Sequence, residues 1–277
     1  MFPLKDNVVR PGVPWVTVVL ICLSFAAFGW QMLQPADRAS TPELARAGIS
    51  ERDQVTLEYG AIPYRITHPG TDCGVAVAGA TQEVICEGAP RPEAFPQEGY
   101  PRDLDMAPWW LTLVTSLFLQ TSFWALALNM LALWIFGNTV ESAMGRGRFL
   151  LFYVLAGIVA LYGQTALDSD ATLPIVGASG AVAGVLGAYA LRYWKAKVLT
   201  FVVTIPLFFT FLEIPSLLVI GIWFGLQFLP ALSPIASLDL AGEGGIAYFG
   251  HVAGFLFGLA AVSPLVRRDG EAPELEG

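Results

Sequence analysis

Two residues of this sequence have the chemistry and the surroundings of a nucleophile and its base. Ser179 lies in the run Gly-Ala-Ser-Gly-Ala-Val-Ala-Gly at 177–184, and His251 opens the run His-Val-Ala-Gly-Phe-Leu-Phe-Gly at 251–258. A serine hydroxyl is a poor nucleophile until an adjacent base takes its proton, so the two side chains must come within about 3 Å of each other. We therefore predict a hydrogen bond between Ser179 and His251.

The composition places both residues in a membrane. Hydrophobic residues make up 55% of the 277 residues and charged residues only 14%, whereas an ordinary soluble domain is about 25% charged. An ionisable residue inside a spanning segment is costly and usually functional. The net charge of -8 comes largely from an acidic loop and an acidic C-terminal tail. We expect no nucleic-acid partner, because such binding needs clustered Lys and Arg.

Six apolar stretches are long enough to cross a bilayer, which takes about 20 residues of helix. They lie near 13–33, 112–136, 149–167, 179–194, 215–232 and 249–266. The first follows Lys5 and Arg10 and lacks an evident cleavage site, so we expect a retained anchor helix rather than a signal peptide. A seventh stretch at 198–211 is interrupted by Pro206.

The positive charges favour six spans over seven, because short cytoplasmic loops are rich in Lys and Arg. Six spans place the basic groups at 5–10, 146–148, 192–197 and 267–268 on the cytoplasmic side. A seventh span would put Ser179 and His251 in opposite leaflets, where they could not meet. We therefore predict that 198–214 is a hairpin on the cytoplasmic side.

The predicted fold is an all-α membrane protein, a bundle of six transmembrane helices with a long outer loop between helices 1 and 2. Both termini are expected in the cytoplasm, and membrane lipid is an expected partner. The segments are an N-terminus at 1–12, transmembrane helix 1 at 13–33, an extracytoplasmic loop insertion at 34–108, a core with transmembrane helices 2 to 6 at 109–266, and an acidic tail at 267–277.

The loop at 34–108 carries 12 Asp and Glu against 6 Arg. Its Pro and Gly residues predict short pieces rather than one folded domain, with a short amphipathic helix possible within 41–59. Cys73 and Cys86 both lie in this loop. If the loop faces an oxidising compartment, a local disulfide between them is expected; the alternative is two free, partly buried thiols.

Small residues would let the helices that carry Ser179 and His251 approach each other. Gly180 on one span, and Gly254 and Gly258 on the other, belong to small-xxx-small patterns that favour close helix packing. Gly177 would allow a tight turn just before the serine. We expect these four glycines to have a structural role.

Acyl transfer also needs hydrogen-bond donors for the developing oxyanion. Asn129, a lone amide in an apolar run, and the backbone N–H of Ser179 are the candidates. No Asp lies beside His251 in the sequence, so a dyad is predicted rather than a triad. Alone, each residue has an ordinary alternative: interhelical packing for the serine and the asparagine, and proton relay or metal binding for the histidine. A zinc site is not predicted, since the His-Glu-x-x-His pattern is missing.

Longer motifs surround the serine, the histidine and the asparagine. They read Gly-Ala-Ser-Gly at 177–180, His-Val-Ala-Gly-Phe at 251–255 and Asn-Met-Leu-Ala-Leu-Trp-Ile-Phe-Gly-Asn-Thr-Val-Glu at 129–141, followed by Gly145 and Arg148. In type, order and spacing they resemble the rhomboid family of intramembrane serine proteases over 109–266. The Tyr-Gly-Ala-Ile-Pro segment at 59–63 and the two loop cysteines add a weaker similarity to bacterial members with a cysteine-containing first-loop insertion.

The resemblance implies a rhomboid-like bundle in a bacterial plasma membrane, with a water-filled cavity open to the outer side. Ser179 would be the nucleophile, His251 the general base, and Asn129 with the Ser179 backbone N–H the oxyanion hole. The substrates would be single-span transmembrane proteins, cleaved in or near the membrane without a cofactor. The fifth span, with Trp223 and Phe224, would act as a lateral gate.

The resemblance also implies a structural ion pair on the cytoplasmic side, between Glu141 and either Arg146 or Arg148. The sequence departs from the family at Gln120 and Ala125, which stand where members commonly carry two histidines. The second of these histidines usually helps to hold the oxyanion, so its replacement by alanine removes a donor.

This loss favours an alternative function, a catalytically weak or inactive rhomboid-like protein that binds membrane clients as an adaptor. A transporter or channel is less favoured, because the sequence shows no paired inverted halves.

Overall fold

The computed structural model of the protein describes residues 2–8, 12–78, 81–91, 93, 95, 104–205, 208–232 and 247–266. Four helical stretches among them are long and apolar enough to cross a membrane, namely Trp15–Leu33, Phe123–Met144, Arg146–Thr165 and Tyr248–Leu265. The chain is thus mostly helical, and the count of six spans stays a prediction. The predicted acidic tail at 267–277 and the segment 233–246 lie outside the described residues.

The elements follow in chain order. They are β1 Phe2–Asp6, α1 Trp15–Leu33, α2 Pro42–Arg46, α3 Glu51–Tyr59, α4 Pro63–Thr67, β2 Cys73–Ala78, β3 Thr81–Cys86, α5 Trp109–Thr115, α6 Phe123–Ala132, a π-helical turn Leu133–Gly137, α7 Asn138–Met144, α8 Arg146–Thr165, α9 Ser179–Arg192, β4 Lys197–Ile205, β5 Phe208–Pro215, α10 Ser216–Leu232 and α11 Ala247–Leu265.

The prediction of a single span at 112–136 was wrong about where the helix begins. The helix α5 ends at Thr115, and α6 starts only at Phe123. The intervening segment is rich in hydroxyl and amide side chains, which compete with the helix for backbone groups. The Ser122 hydroxyl, for example, accepts a hydrogen bond from the Ala125 N–H at 3.2 Å. At its other end the helix continues through the π-helical turn and α7 to Met144.

The expectation of an all-α fold was wrong, because the mostly helical structure also contains β-strands. β4 and β5 pair antiparallel, and β1 adds to β4, so that the sheet has the order β1-β4-β5. The run at 197–215 is dominated by β-branched and aromatic residues, which favour strands. The structure thus has a β-hairpin where a hairpin at 198–214 was expected; its location on the cytoplasmic side stays a prediction.

The chain forms two compact units. The core unit comprises 1–21, 127–160 and 179–277, and the loop unit comprises 22–126 and 161–178. In the core unit α9 packs against α11 along its length. With 14 residues, α9 is about 21 Å long, shorter than the roughly 30 Å of a bilayer core. Every residue at 181–190 is buried, so α9 is surrounded by protein.

The expectation that the outer loop forms separate pieces, rather than one folded domain, was wrong. The helices of the loop unit are short, and the predicted helix within 41–59 is divided into α2 and α3. These pieces nevertheless share one hydrophobic core, whose members include Leu44, Leu57, Ile62, Tyr64, Val75 and Val84. In the structure Cys73 and Cys86 lie opposite each other on β2 and β3 and form a disulfide within this core.

Candidate active site

Ser179 is the first residue of α9 and is half-buried. Two residues earlier, Gly177 has a φ of 129°, a conformation that residues with a Cβ atom rarely adopt. The Gly177 N–H donates to the carbonyl oxygen of Ser116 at 2.8 Å. The first N–H groups of a helix have no partner within the helix. The serine therefore lies where backbone donors are available to an anion.

His251 lies on α11 and is only 6% exposed. Its Nε2 atom is 2.6 Å from the Oγ atom of Ser179, across 72 residues of sequence. In the neutral tautomer with the proton on Nδ1, Nε2 accepts the serine proton. None of the residues that the structure describes hydrogen-bonds to the buried Nδ1 atom. The geometry is that of a Ser-His dyad.

Glycines bring the backbones of α9 and α11 into contact. A Cβ atom on Gly258 would lie 2.8 Å from the carbonyl carbon of Gly184 and 2.9 Å from the amide nitrogen of Ala188. A Cβ atom on Gly254 would likewise press against the carbonyl group of Gly180. Such distances leave no room for any side chain. The two helices can bring the serine and the histidine together only because these positions are glycine.

The other face of α9 packs against α8 through equally small residues. A Cβ atom on Gly184 would lie 2.5 Å from the Cβ atom of Ala156, and one on Gly180 would meet Ala160. The helix that begins with Ser179 is thus enclosed on two sides by small residues. Its position has little freedom, because tightly packed interfaces of this kind do not deform continuously.

Asn129 lies on α6 in the core unit and is 6% exposed. Its role in the oxyanion hole stays a prediction. Ala125 lies on the same helix, and Gln120, in the loop unit, precedes it and is 1% exposed. Ala125 offers no side-chain donor.

Aromatic side chains of α10 contact α11 near His251. The rings of Trp223 and His251 have centroids 6.0 Å apart, and those of Phe224 and Phe255 are 4.6 Å apart in an edge-to-face arrangement. Both distances fall in the range of favourable aromatic pairs. The two residues predicted to form a gate therefore lie on the face of α10 that meets α11.

The predicted ion pair of Glu141 with Arg146 or Arg148 was wrong. The buried Glu141 carboxylate accepts hydrogen bonds from the N–H groups of Val16 and Thr17, at 3.0 and 2.7 Å, and from the Thr17 hydroxyl at 2.8 Å. Arg148 donates instead to the carbonyl oxygen of Leu265 at 3.3 Å. A carboxylate at a helix N-terminus is favourable because it pairs free N–H groups and complements the helix dipole.

A second buried carboxylate was not predicted from the sequence. Asp6, in β1, is 2% exposed and accepts hydrogen bonds from the Thr139 hydroxyl at 2.6 Å and from the Tyr189 hydroxyl at 3.0 Å. It connects β1, α7 and α9 at the end of α9 far from Ser179. The only signal in the sequence was an isolated acidic residue in a short N-terminal segment.

Replacing Glu141 is expected to destabilise the core unit. Glu141→Ala would leave the N–H groups of Val16 and Thr17 without their acceptor, and each unsatisfied buried group costs about 1–3 kcal/mol. We expect the free energy of unfolding in detergent to fall by about 3 kcal/mol. The matched control is Glu213→Ala, because Glu213 pairs with Lys197 at 3.1 Å at the surface and such pairs contribute about 0–1 kcal/mol. Equal losses in both variants would contradict this role of Glu141.

Comparison with known proteins shows that the sequence is similar to rhomboid proteins. A family model described as the Rhomboid domain matches residues 107–268. Rhomboid protein 1, mitochondrial, of Saccharomyces cerevisiae is 36% identical over 100 residues, which are 35% of this chain and 29% of the yeast protein. Rhomboid protease GluP of Bacillus subtilis is 46% identical over 80 residues, 29% of this chain and 15% of that protein.

A third relative is presenilin-associated rhomboid-like protein A, mitochondrial, of Danio rerio. It is 30% identical over 155 residues, 54% of this chain and 36% of its own length. The chain thus spans less than half the length of each of these relatives. The family match and the apolar helices make this a multi-pass membrane protein. Because the Rhomboid domain covers more than half of the chain, the protein belongs to the rhomboid family.

Proposed function

We propose that this protein is an intramembrane serine endopeptidase, which cleaves peptide bonds in or near the transmembrane segments of membrane proteins. The observation that carries the proposal is the 2.6 Å contact between Ser179 Oγ and His251 Nε2. This contact occurs within a matched Rhomboid domain, at the start of a helix, and between residues far apart in the sequence. Relatives with the family name include a protease, GluP.

In the proposed mechanism His251 Nε2 takes the proton of the Ser179 hydroxyl as its oxygen attacks the scissile carbonyl carbon. The resulting oxyanion accepts hydrogen bonds from the Ser179 N–H and from the Asn129 side chain. The imidazolium then gives its proton to the leaving amine, and the amine departs from the acyl-enzyme. Water, deprotonated by the same imidazole, attacks the ester and releases Ser179.

The proposal extends to the setting of this chemistry. The substrates are single-span transmembrane proteins, which reach the dyad from the lipid past Trp223 and Phe224 on α10. The site opens to the outer side of a bacterial plasma membrane, and both termini are cytoplasmic. Six transmembrane helices carry the site, with α9 and α10 as the two spans of less than full length. The basic residues at 146–148 and 192–197 support this orientation.

A second candidate function is an adaptor that binds membrane clients without cleaving them. Ala125 favours it, because it stands where rhomboid proteases commonly have a histidine donor. The retained Ser-His hydrogen bond favours the protease.

Cleavage of a labelled single-span protein by the purified wild-type protein in lipid vesicles separates the two functions. The protease converts the substrate to two fragments at a rate proportional to enzyme concentration. An adaptor would retain the intact client on affinity capture and produce no fragments. Intact substrate after prolonged incubation, with the client bound, would therefore contradict the protease.

Restoring the missing donor is expected to speed the reaction. Ala125→His should raise kcat about tenfold, a part of the 100- to 1000-fold that one oxyanion donor contributes in serine proteases. KM should change little, because the donor acts on the transition state. Ala125→Phe, which adds a ring without a donor, is the control for bulk. An unchanged kcat in Ala125→His would show that the missing donor does not limit turnover.

A further inference from the structure

The segment that leads into Ser179 has almost no regular structure. Of the residues 168–178, only Ile175 forms a β-type pair, and its partner is Ala61 in the outer loop. Ala178 then connects this segment directly to Ser179. For a serine at the start of a helix to stay in place, the chain segment before it must have a fixed position. Contacts from elsewhere must therefore hold the segment.

Hydrogen bonds from the outer loop provide this support. The Ala61 N–H donates to the Ile175 carbonyl oxygen at 3.0 Å, and the Ile175 N–H donates back to the Ala61 carbonyl oxygen at 2.8 Å. The Tyr64 N–H donates to the carbonyl oxygen of Ala171 at 3.0 Å. A residue pair that exchanges both hydrogen bonds has the geometry of an antiparallel ladder. The outer loop thus binds the segment as one strand binds another.

Close packing supports the same segment. A Cβ atom on Gly60 would lie 2.8 Å from the Cβ atom of Pro174 and 3.0 Å from the Cγ1 atom of Val176. Gly60 ends α3, so the backbone at the end of that helix packs directly against the side chains of Pro174 and Val176. The Gly177 N–H bond to the Ser116 carbonyl oxygen fixes the last turn before the serine.

The outer loop is itself rigid at this point. Tyr64, whose N–H supports the segment, and Ile62, which follows Ala61, belong to the hydrophobic core that contains the Cys73–Cys86 disulfide. Ala61 is fully buried and Ile62 is 1% exposed. The support therefore runs from the disulfide-bonded core through the backbone of residues 60–64 to residues 171–177.

We propose that the outer-loop insertion is a positioning device for the nucleophile. In this role Gly60 and Ala61 are positioning residues, which hold residues 171–177 and so fix the entry of the chain into Ser179. The effect on catalysis rests on the proposed function of Ser179, whereas the support of the segment does not.

Ala61→Pro tests the proposal because it removes the N–H that donates to Ile175. Gly60, with φ -77° and ψ 155°, already has the conformation that residues before proline adopt. We expect amide hydrogen exchange at 171–177 to rise about tenfold or more. The rate of Ser179 labelling by a small fluorophosphonate and kcat should both fall about tenfold, with KM within about twofold, because small misplacements of reacting groups cost up to about 100-fold.

Ala61→Gly is the conservative control, since it loses the methyl group but keeps the N–H; it should retain wild-type exchange, labelling and kcat. The double variant Cys73→Ser and Cys86→Ser should change exchange, labelling and kcat in the same direction as Ala61→Pro does.

Unchanged exchange at 171–177 in Ala61→Pro would overturn the proposal. Losses of labelling and kcat in Ala61→Gly as large as those in Ala61→Pro would also overturn it. Absence of labelling in the wild-type protein would overturn the proposed function, and the exchange comparison would still decide whether the outer loop supports the segment.

Discussion

Ser179→Ala should abolish proteolysis while leaving the protein folded. In the proposed mechanism the Oγ atom forms the bond to the substrate carbonyl carbon, and in the structure this atom hydrogen-bonds to His251 Nε2. Loss of such a nucleophile typically lowers kcat by about 10⁴-fold or more. We therefore expect cleavage of the labelled single-span substrate to fall to the limit of detection.

The matched control is Ser142→Ala. Ser142 is also a helical, half-buried serine of the core unit, and its hydroxyl donates to the carbonyl oxygen of Asn138 at 3.0 Å. Its removal should leave kcat within about twofold of the wild-type value. Both variants should unfold near the wild-type temperature, because neither deletes a packed side chain. Residual cleavage above about 1% in Ser179→Ala would contradict the assigned nucleophile.

Gly258→Ala should damage both stability and activity. Its Cβ atom would meet the backbone of Gly184 and Ala188 on α9, and backbone cannot rotate away as a flexible side chain can. Overpacking of this kind costs about 1–3 kcal/mol. Because α9 and α11 carry the serine and the histidine, their separation should also lower kcat/KM by about 10- to 100-fold. Thermal unfolding and substrate cleavage measure the two effects.

Gly29→Ala provides the same chemical change without the collision. Gly29 lies in α1, and a Cβ atom added there would have nothing within 4 Å. Alanine is the better helix former by about 1 kcal/mol, so this control should be neutral or slightly stabilising. If Gly258→Ala were as stable and as active as Gly29→Ala, close approach of the two helices would not be required for the site.

The contact between Ser179 and His251 could be predicted from the sequence because its signals are local. Ser179 and His251 each lie in a short glycine-spaced run, and the period of the glycines indicates a helix face that can approach another. The sequence alone could therefore indicate that the two helices meet. The sequence could not predict the distance between Ser179 Oγ and His251 Nε2, because that distance depends on the backbone contacts of α9 and α11.

The buried carboxylates show why other contacts in the core unit could not be predicted. Glu141 bonds to residues 124 and 125 positions away, and Asp6 to residues 133 and 183 positions away. Nothing in the local pattern of either residue specifies such partners. We expected Glu141 to pair with an arginine that is close in the sequence. Its partners are instead the first N–H groups of α1, which have no acceptor within their own helix.

The strands and the outer loop were difficult for a related reason. Composition alone favoured strands at 197–215, but in a hydrophobic chain the same residues also suit a membrane helix. In the outer loop each helix is too short to be stable alone. Only the pairing of β2 with β3 and the disulfide bring those helices around one core, and these contacts are not encoded in any one segment.

Mapping the covalent adduct of a fluorophosphonate probe tests the central claim most directly, because the reaction requires both an activated nucleophile and its base. The wild-type protein, labelled in lipid vesicles and analysed by mass spectrometry, should carry one adduct on Ser179. His251→Ala should slow the labelling at least about 1000-fold, and His68→Ala, at the other histidine of the chain, should not change it. An adduct on a different residue, or equal labelling rates with and without the His251 imidazole, would contradict a Ser179-His251 dyad.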